Sequence, residues 1–271
     1  MDSRNRNVLI VVAAILVVAC CCTLALATGA ASWIAARATE FESFDLKSFD
    51  LGGLYRERIE ETFDSGRAQT LELDLFAGSV TVRHGDSDEI HVVAVKKAPS
   101  RRGLDRIEIQ MTEQADRLLI RTKKSGNLSN SSVDLEITAP ANTSLDVNTG
   151  AGTVDIRGID GGIDVHSGAG TIEARDVSGT ARVGLGAGEI IYEGSPTGSC
   201  RFETGVGSIL LKLPGDSDLE VDMGTGLGNI SVDFDLDGRV SGRHAEGVIG
   251  DGSQGSIYAH TGAGNVTLDR E

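Results

Sequence analysis

Thr149-Gly150-Ala151-Gly152-Thr153-Val154 is followed by Ser167-Gly168-Ala169-Gly170-Thr171-Ile172, then by Leu185-Gly186-Ala187-Gly188-Glu189-Ile190 and Thr204-Gly205-Val206-Gly207-Ser208-Ile209. Two further copies of the corner stand at Gly226-Leu227-Gly228 and Gly262-Ala263-Gly264. The steps between first glycines are 18, 18, 19, 21 and 36, the last being two steps of 18. A fixed period of this size signals a chain of stacked repeats.

Each copy carries the same pattern on both sides of the corner. After it stand Val154, Ile172, Ile190, Ile209, Ile230 and Val266, then two residues later Ile156, Ala174, Tyr192, Leu211, Val232 and Leu268. Before it stand pairs such as Leu145 and Val147, Ile163 and Val165, or Val221 and Met223. Alternation with period two and β-branched residues predicts two short strands per repeat, each burying one face. A corner repeated at one place suits glycine, which reaches φ > 0 without a Cβ clash. The expected fold is all-β: a β-solenoid, or β-helix, of two-strand coils with period about 18–21.

Three motif readings compete with this and fail. Gly-x-Gly resembles a phosphate loop, but that fingerprint needs a following helix, and here a strand follows each time. Calcium-binding nonapeptide rolls need an Asp at a fixed place after the glycines. Asp155 has counterparts Glu173, Ile191, Leu210, Ser231 and Thr267, so that ladder is missing. Clustered carboxylates beside a basic residue, as in a polysaccharide-cleaving β-helix, do not recur.

Composition narrows the class further. The chain has 271 residues, of which 35 are Gly and only 4 are Pro, which fits turns between short strands better than collagen or disorder. Its formal net charge is −15, so nucleic acid is not an expected partner; the strand that follows each Gly-x-Gly likewise argues against a nucleotide. Of the four cysteines, Cys20, Cys21 and Cys22 are adjacent in an apolar run and Cys200 falls on an inward ladder position, so no disulfide framework is implied.

Residues 8–36 contain no charged side chain. That is long enough for a membrane-spanning helix, which needs roughly 20 apolar residues. Arg4 and Arg6 precede the run and Glu40, Glu42 and Asp45 follow it, which places the C-terminal part outside the cytoplasm. Val17-Val18-Ala19-Cys20 also fits a lipoprotein box and Ala25-Leu26-Ala27 a signal-peptidase site. All three readings export the domain. Residues 37–66, with Phe41, Phe44, Phe49, Ile59 and Phe63 among charges, are expected to be a juxtamembrane stalk with helical spacing. Residues 67–144 read as an antiparallel β region with a degenerate corner at Phe76-Ala77-Gly78, and 145–271 as the glycine-cornered solenoid.

The repeat fails between Val232 and Gly255. This stretch opens with Asp233-Phe234-Asp235-Leu236-Asp237-Gly238. Three alternating carboxylates before a glycine match the start of a calcium loop, although the closing Glu is replaced by His244. The competing reading is a strand with Phe234 and Leu236 inward and Asp233, Asp235 and Asp237 in solvent. His166 and His260 occupy equivalent slots in separate repeats and are not expected to share a metal. Ile191 and Leu210 are apolar in outward slots of neighbouring coils, about 4.8 Å apart. Either the strands of residues 70–121 cover them or they form a contact surface for a partner or a second copy.

The six corners, with the Pro140 and Pro214 openings, resemble a bacterial family known as putative adhesins of unknown function, over roughly residues 67–271. Members of that family carry repeated Gly-x-Gly coils, often behind one membrane segment, and some relatives belong to envelope-stress responses. The resemblance implies no catalytic residues. The expectation is therefore a single-pass protein of the bacterial cytoplasmic membrane, held by residues 8–36. Its exported part binds or scaffolds an envelope protein, a cell-wall polymer or its own copies, without catalysis and without a cofactor unless calcium binds. The alternatives are an envelope-stress signalling partner or a polysaccharide-acting β-helix enzyme.

Overall fold

The computed structural model describes residues 53–64, 66, 69–114 and 116–271. The segment expected to span a membrane and most of the expected stalk lie outside these residues. Among the described residues, no helix is long and apolar enough to cross a membrane.

The described chain is almost entirely β. Its nineteen strands belong to one hydrogen-bonded sheet that bends at the glycine corners into two ladders. The first ladder runs, strand beside strand, through β5 (Ile107–Gln114), β6 (Arg117–Lys124), β2 (Thr70–Leu75), β8 (Ser144–Thr149) and the first halves of β10 (Ile163–Gly179) and β11 (Ala181–Pro196). It continues through β12 (Gly198–Val206), β18 (Gly255–Ala263), β14 (Leu219–Leu227), β17 (His244–Ile249) and β16 (Asp237–Val240). The second ladder runs through β1 (Tyr55–Asp64), β4 (Glu89–Ala98), β7 (Ser132–Ala139), β3 (Val80–His84) and β9 (Gly152–Arg157). After the second halves of β10 and β11 it ends with β13 (Ile209–Leu213), β19 (Val266–Arg270) and β15 (Ile230–Val232). A single turn of helix, α1 (Arg101–Leu104), capped by the Ser100 hydroxyl, fills the charged turn after β4.

Ile163 lies between Leu145 and Ala181, so here a step of 18 residues in sequence is one step across the sheet. The inward residues on both ladders pack into one core. Leu73, Val147, Val165, Val183, Phe202, Ala259 and Met223 share a row on the first ladder, and Val80, Val154, Ile172, Ile190, Ile209 and Val266 share one on the second. Cys200 is buried, and burial pushes its thiol up. It therefore behaves as a small core residue.

The two corner glycines are required for different reasons. Gly170 has φ +134, and a Cβ there would stand 1.8 Å from the Gly152 carbonyl oxygen of the adjacent corner. Gly168 has no left-handed φ. A Cβ on it would meet the Gly150 oxygen at 2.4 Å. The expectation that φ > 0 explains the corner glycines thus holds for the second and is corrected for the first, where close backbone approach excludes a side chain.

The order of the repeats departs from the order of the sequence at both ends. β12 pairs with β18, the chain's last corner repeat, and β18 pairs on its other side with β14. The final repeat is wedged between the two that precede it in sequence. At the other end β2 lies between β6 and β8, so the chain's first repeat is also internal. The strands of residues 70–121 therefore extend the sheet edge-on and do not lie over Ile191 and Leu210. Residues 233–249, where the repeat fails, form an extended crossing and the antiparallel hairpin of β16 and β17, which closes the edge of β14. Tyr55–Asp64, expected within a helical stalk, is a strand because it finds an antiparallel partner in β4 along its whole length.

Candidate functional site

The outward side chains of the first ladder are ordered by the stack. One row reads Arg182, Arg201, Tyr258, Asp222, Glu246 and Arg239. The row beside it reads Gly184, Glu203, His260, Gly224 and His244. Because β18 sits between β12 and β14, residues 201, 258 and 222 become immediate neighbours.

Tyr258 is held from two sides. The Arg201 guanidinium lies 4.1 Å from its ring centroid, and the His260 ring stacks on it at 4.0 Å with 7° between planes. Arg201 donates to both oxygens of Glu203, at 2.9 and 2.6 Å. That hydrogen bonding holds the guanidinium above its ordinary value, so the cation persists at any working pH. The His260 Nε2 is 3.1 Å from Asp222 Oδ1. The His244 Nδ1 is 4.0 Å from the same oxygen, with its Nε2 3.6 Å from Glu246. Asp222, Glu246, Tyr258 and Ser256 line a shallow depression of about 440 Å³. An aromatic ring between a cation and an imidazole, next to carboxylates, offers stacking, charge and hydrogen bonds on one rigid surface.

Glycine shapes this face. Gly224 is buried beneath the His260 ring, which stands 2.5 Å from where a Cβ would be and so excludes a side chain there. Further along the ladder, Glu72, Asp146 and Asp164 face outward in register on three adjacent strands. Burial pushes the Asp146 carboxyl up, and the charges of Asp164 and Glu72 add to it.

The residues singled out from the sequence fall elsewhere. Ile191 and Leu210 are direct neighbours on the second ladder, both half-buried. Beside them runs an ion-pair series in which Arg157 reaches Asp155 and Glu173, and Arg175 reaches Glu173 and Glu193. Asp233, Asp235 and Asp237 point to solvent along an extended segment while Phe234 is buried and Leu236 half-buried. Arg270 packs over Phe234 and approaches Asp235 at 3.9 Å. Among the described residues, no three His, Cys, Asp or Glu side chains are already gathered as a metal site. His166 and His260 stand three strands apart, with Gly184 and Glu203 between them in their row. Reading the sequence found the slot of His260 but missed Tyr258, Arg201, Asp222 and His244 as a group. The signal was present in the aligned outward positions, yet their adjacency depends on the displaced last repeat.

No family model matches the chain, and no curated protein matches it. Solved structures do. A putative cell adhesion protein from Clostridium sporogenes is 14% identical, over 80% of this chain and 100% of that one, with a TM-score of 0.50. A putative adhesin from Bacteroides fragilis is 12% identical over 78% and 97% of the two chains, at TM-score 0.30. One from Parabacteroides distasonis is 7% identical over 79% and 97%, also at 0.30. Of these three, the first marks a shared fold.

Proposed function

We propose that this chain is a β-solenoid adhesin-like protein of the bacterial cell envelope. On this reading residues 8–36 hold it in the cytoplasmic membrane as a single pass, and the β domain faces outward, binding or scaffolding an envelope component without catalysing a reaction. The observation that carries the reading is the outward row Arg201, Tyr258, Asp222 and Glu246, set in register on four adjacent strands. Paired strands hold such side chains about 4.8 Å apart in a fixed order. That spacing suits an extended, repetitive polymer or a flat protein surface better than a small molecule. The shared fold with a protein named for cell adhesion supports the same direction.

The test is retention of the full-length chain, in detergent or nanodiscs, on insoluble cell-wall material and on envelope membranes of a bacterial host. The reading expects retention that falls about tenfold or more when Tyr258→Ala and Arg201→Ala are combined, as losing a central aromatic and an Arg anchor does at interfaces. Retention that ignores this double change would contradict it. Protease added to intact cells should remove the β domain; protection of that domain would refute the outward placement.

A further inference from the structure

Charge is spread unevenly along this acidic chain. Residues 96–124 hold nine Lys and Arg against four Asp and Glu, whereas residues 125–271 hold eight against twenty-two. The fold gathers the basic stretch at one end of the sheet. Ile107 on β5 pairs with Lys124 on β6, and the Ser125 amide donates to the Arg106 carbonyl at 3.0 Å. α1 packs against β4 and β1, with Gly103 set close to Ala98 and Leu128. Arg101, Arg102, Arg106, Lys123 and Lys124 are exposed around that junction.

Most of these cations have nothing to neutralise them. Lys96 and Lys97 pair with Glu57 and Asp134, and Lys124 lies over the Phe76 ring. Among the described residues, no carboxylate pairs with Arg101, Arg102, Arg106 or Lys123. The described chain also enters the domain here. Tyr55 on β1 pairs with Ala98, just before α1, and is 47% exposed.

We propose that this basic end docks on anionic phospholipid headgroups of the phosphatidylglycerol kind. The inference rests on the reading that residues 8–36 hold the chain in a membrane. Residues 37–52 would then tether the domain to that bilayer with at most about 55 Å of extended chain, which keeps the local concentration of headgroups high. An anionic surface attracts this end and repels the acidic remainder, so charge selects one orientation. Tyr55 at the rim suits the headgroup layer, where tyrosine is enriched. The face carrying Arg201 and Tyr258 belongs to the acidic part and is thereby left free for its own partner.

The experiment uses the full-length chain with Cys20, Cys21 and Cys22 changed to serine and a fluorophore on Asn127→Cys; Cys200 is buried. The chain is placed in nanodiscs of phosphatidylcholine alone or of phosphatidylcholine with phosphatidylglycerol, each with a headgroup-attached quencher. Stronger quenching is expected in the anionic discs, with the excess removed in about 0.5 M salt. The same label on Asp235→Cys, in the acidic part, should show no such excess. Each Lys or Arg beside an anionic bilayer strengthens docking about fivefold, so combining Arg101→Glu with Arg102→Glu should lower the docked-to-free ratio at least about tenfold. Arg106→Glu with Lys123→Glu is the second pair, should the first fail to fold. Equal quenching of the Asn127→Cys label in both lipids, or an excess that both charge reversals leave intact, would overturn the proposal. A chain that enters neither disc would refute the anchor reading instead. Flotation with phosphatidylglycerol vesicles then decides the patch by itself: loss of flotation in the charge reversals supports it, and absence of flotation overturns it.

Discussion

From Ser144 to Phe202 each strand of the first ladder lies beside the one next in sequence; from Gly198 to the C-terminus it does not. In the middle, β8, β10, β11 and β12 follow one another. Beyond them β18 intervenes before β14, and a hairpin turns back along β14. Every repeat offers the same parallel edge with the same inward spacing, so repeats are interchangeable as neighbours. Periodicity therefore specifies the pairing surface, whereas connection lengths and end closure decide who occupies it. The ends also show why closure is needed, because a bare strand edge invites another chain. β14 is covered by the hairpin, whose outer strand is four residues long and fully exposed. At the opposite end β1 carries Glu57 and Glu61 on the same side as Ile59, charges that oppose edge-on pairing.

The comparison can be tested first at the corners. Gly170→Val in the middle forces a β-branched side chain into φ +134 and into the neighbouring carbonyl. We expect the full-length chain to lose its β circular-dichroism signal. Gly228 has the same constraint, with φ +147, but sits in the outermost corner, so Gly228→Val should fray that end and leave a cooperative transition. Equal loss in both would mean that middle and ends fold as one indivisible unit.

A core charge comes next. Ile190 is fully buried and Ile249 nearly so. Ile190→Asp should cost about 4 kcal/mol or more, as an unpaired buried charge does, whereas Ile249→Asp should cost less because the hairpin can open locally. Thermal denaturation reads both. Glu173→Lys separates a third level. The alternation of the sequence marks Glu173 as an ordinary outward residue, but it accepts from both Arg157 and Arg175. A lysine there should cost about 1 kcal/mol, the upper range for a partly exposed ion pair.

Smaller still is the acidic series. The raised Asp146 carboxyl is favoured by the fold when protonated. Its contribution is therefore fully present below the ordinary aspartate value of 3.8 and lost as pH rises through the raised value. At pH 7 the ionised group opposes folding, so Asp146→Asn should raise the melting temperature at pH 7, with the gain vanishing by about pH 3. A loss of stability at pH 7 would contradict this. The smallest effect expected is that of calcium. With Asp233, Asp235 and Asp237 spread along an extended segment, millimolar calcium against chelator should leave the melting curve unmoved. A rise would mean that these carboxylates gather on binding.

Much of this was legible in the sequence, for identifiable reasons. The Gly-x-Gly corners and the inward rows are local, and Cys200, Val221 and Ile257 align by counting from the corner as they do in space. Phe234 and Leu236 turn inward as simple alternation predicts. What counting cannot supply is adjacency between identical edges. The step of 36 residues before Gly262 marks an interruption but does not say that the last repeat returns to an earlier place. The grouping of Arg201, Tyr258, Asp222 and His244 depends on that return. The strand at Tyr55–Asp64 was hidden for another reason: its charges mask the alternation of Ile59 and Phe63, and only pairing with β4 fixes its conformation.

The displaced last repeat is the central claim, and disulfide trapping tests it most directly. Ser199 faces Ser256 across adjacent strands, and Ser256 in turn faces Glu220. Simple stacking in sequence order would instead place residue 199 beside residue 220. In the displaced order these two lie two strands apart, about 9.6 Å, beyond the reach of a disulfide. In the full-length chain with Cys20, Cys21 and Cys22 replaced by serine, Ser199→Cys with Ser256→Cys should cross-link under mild oxidation. Ser199→Cys with Glu220→Cys should not, as read by mass spectrometry of the linked peptides. Efficient cross-linking of 199 to 220, with none between 199 and 256, would contradict the account.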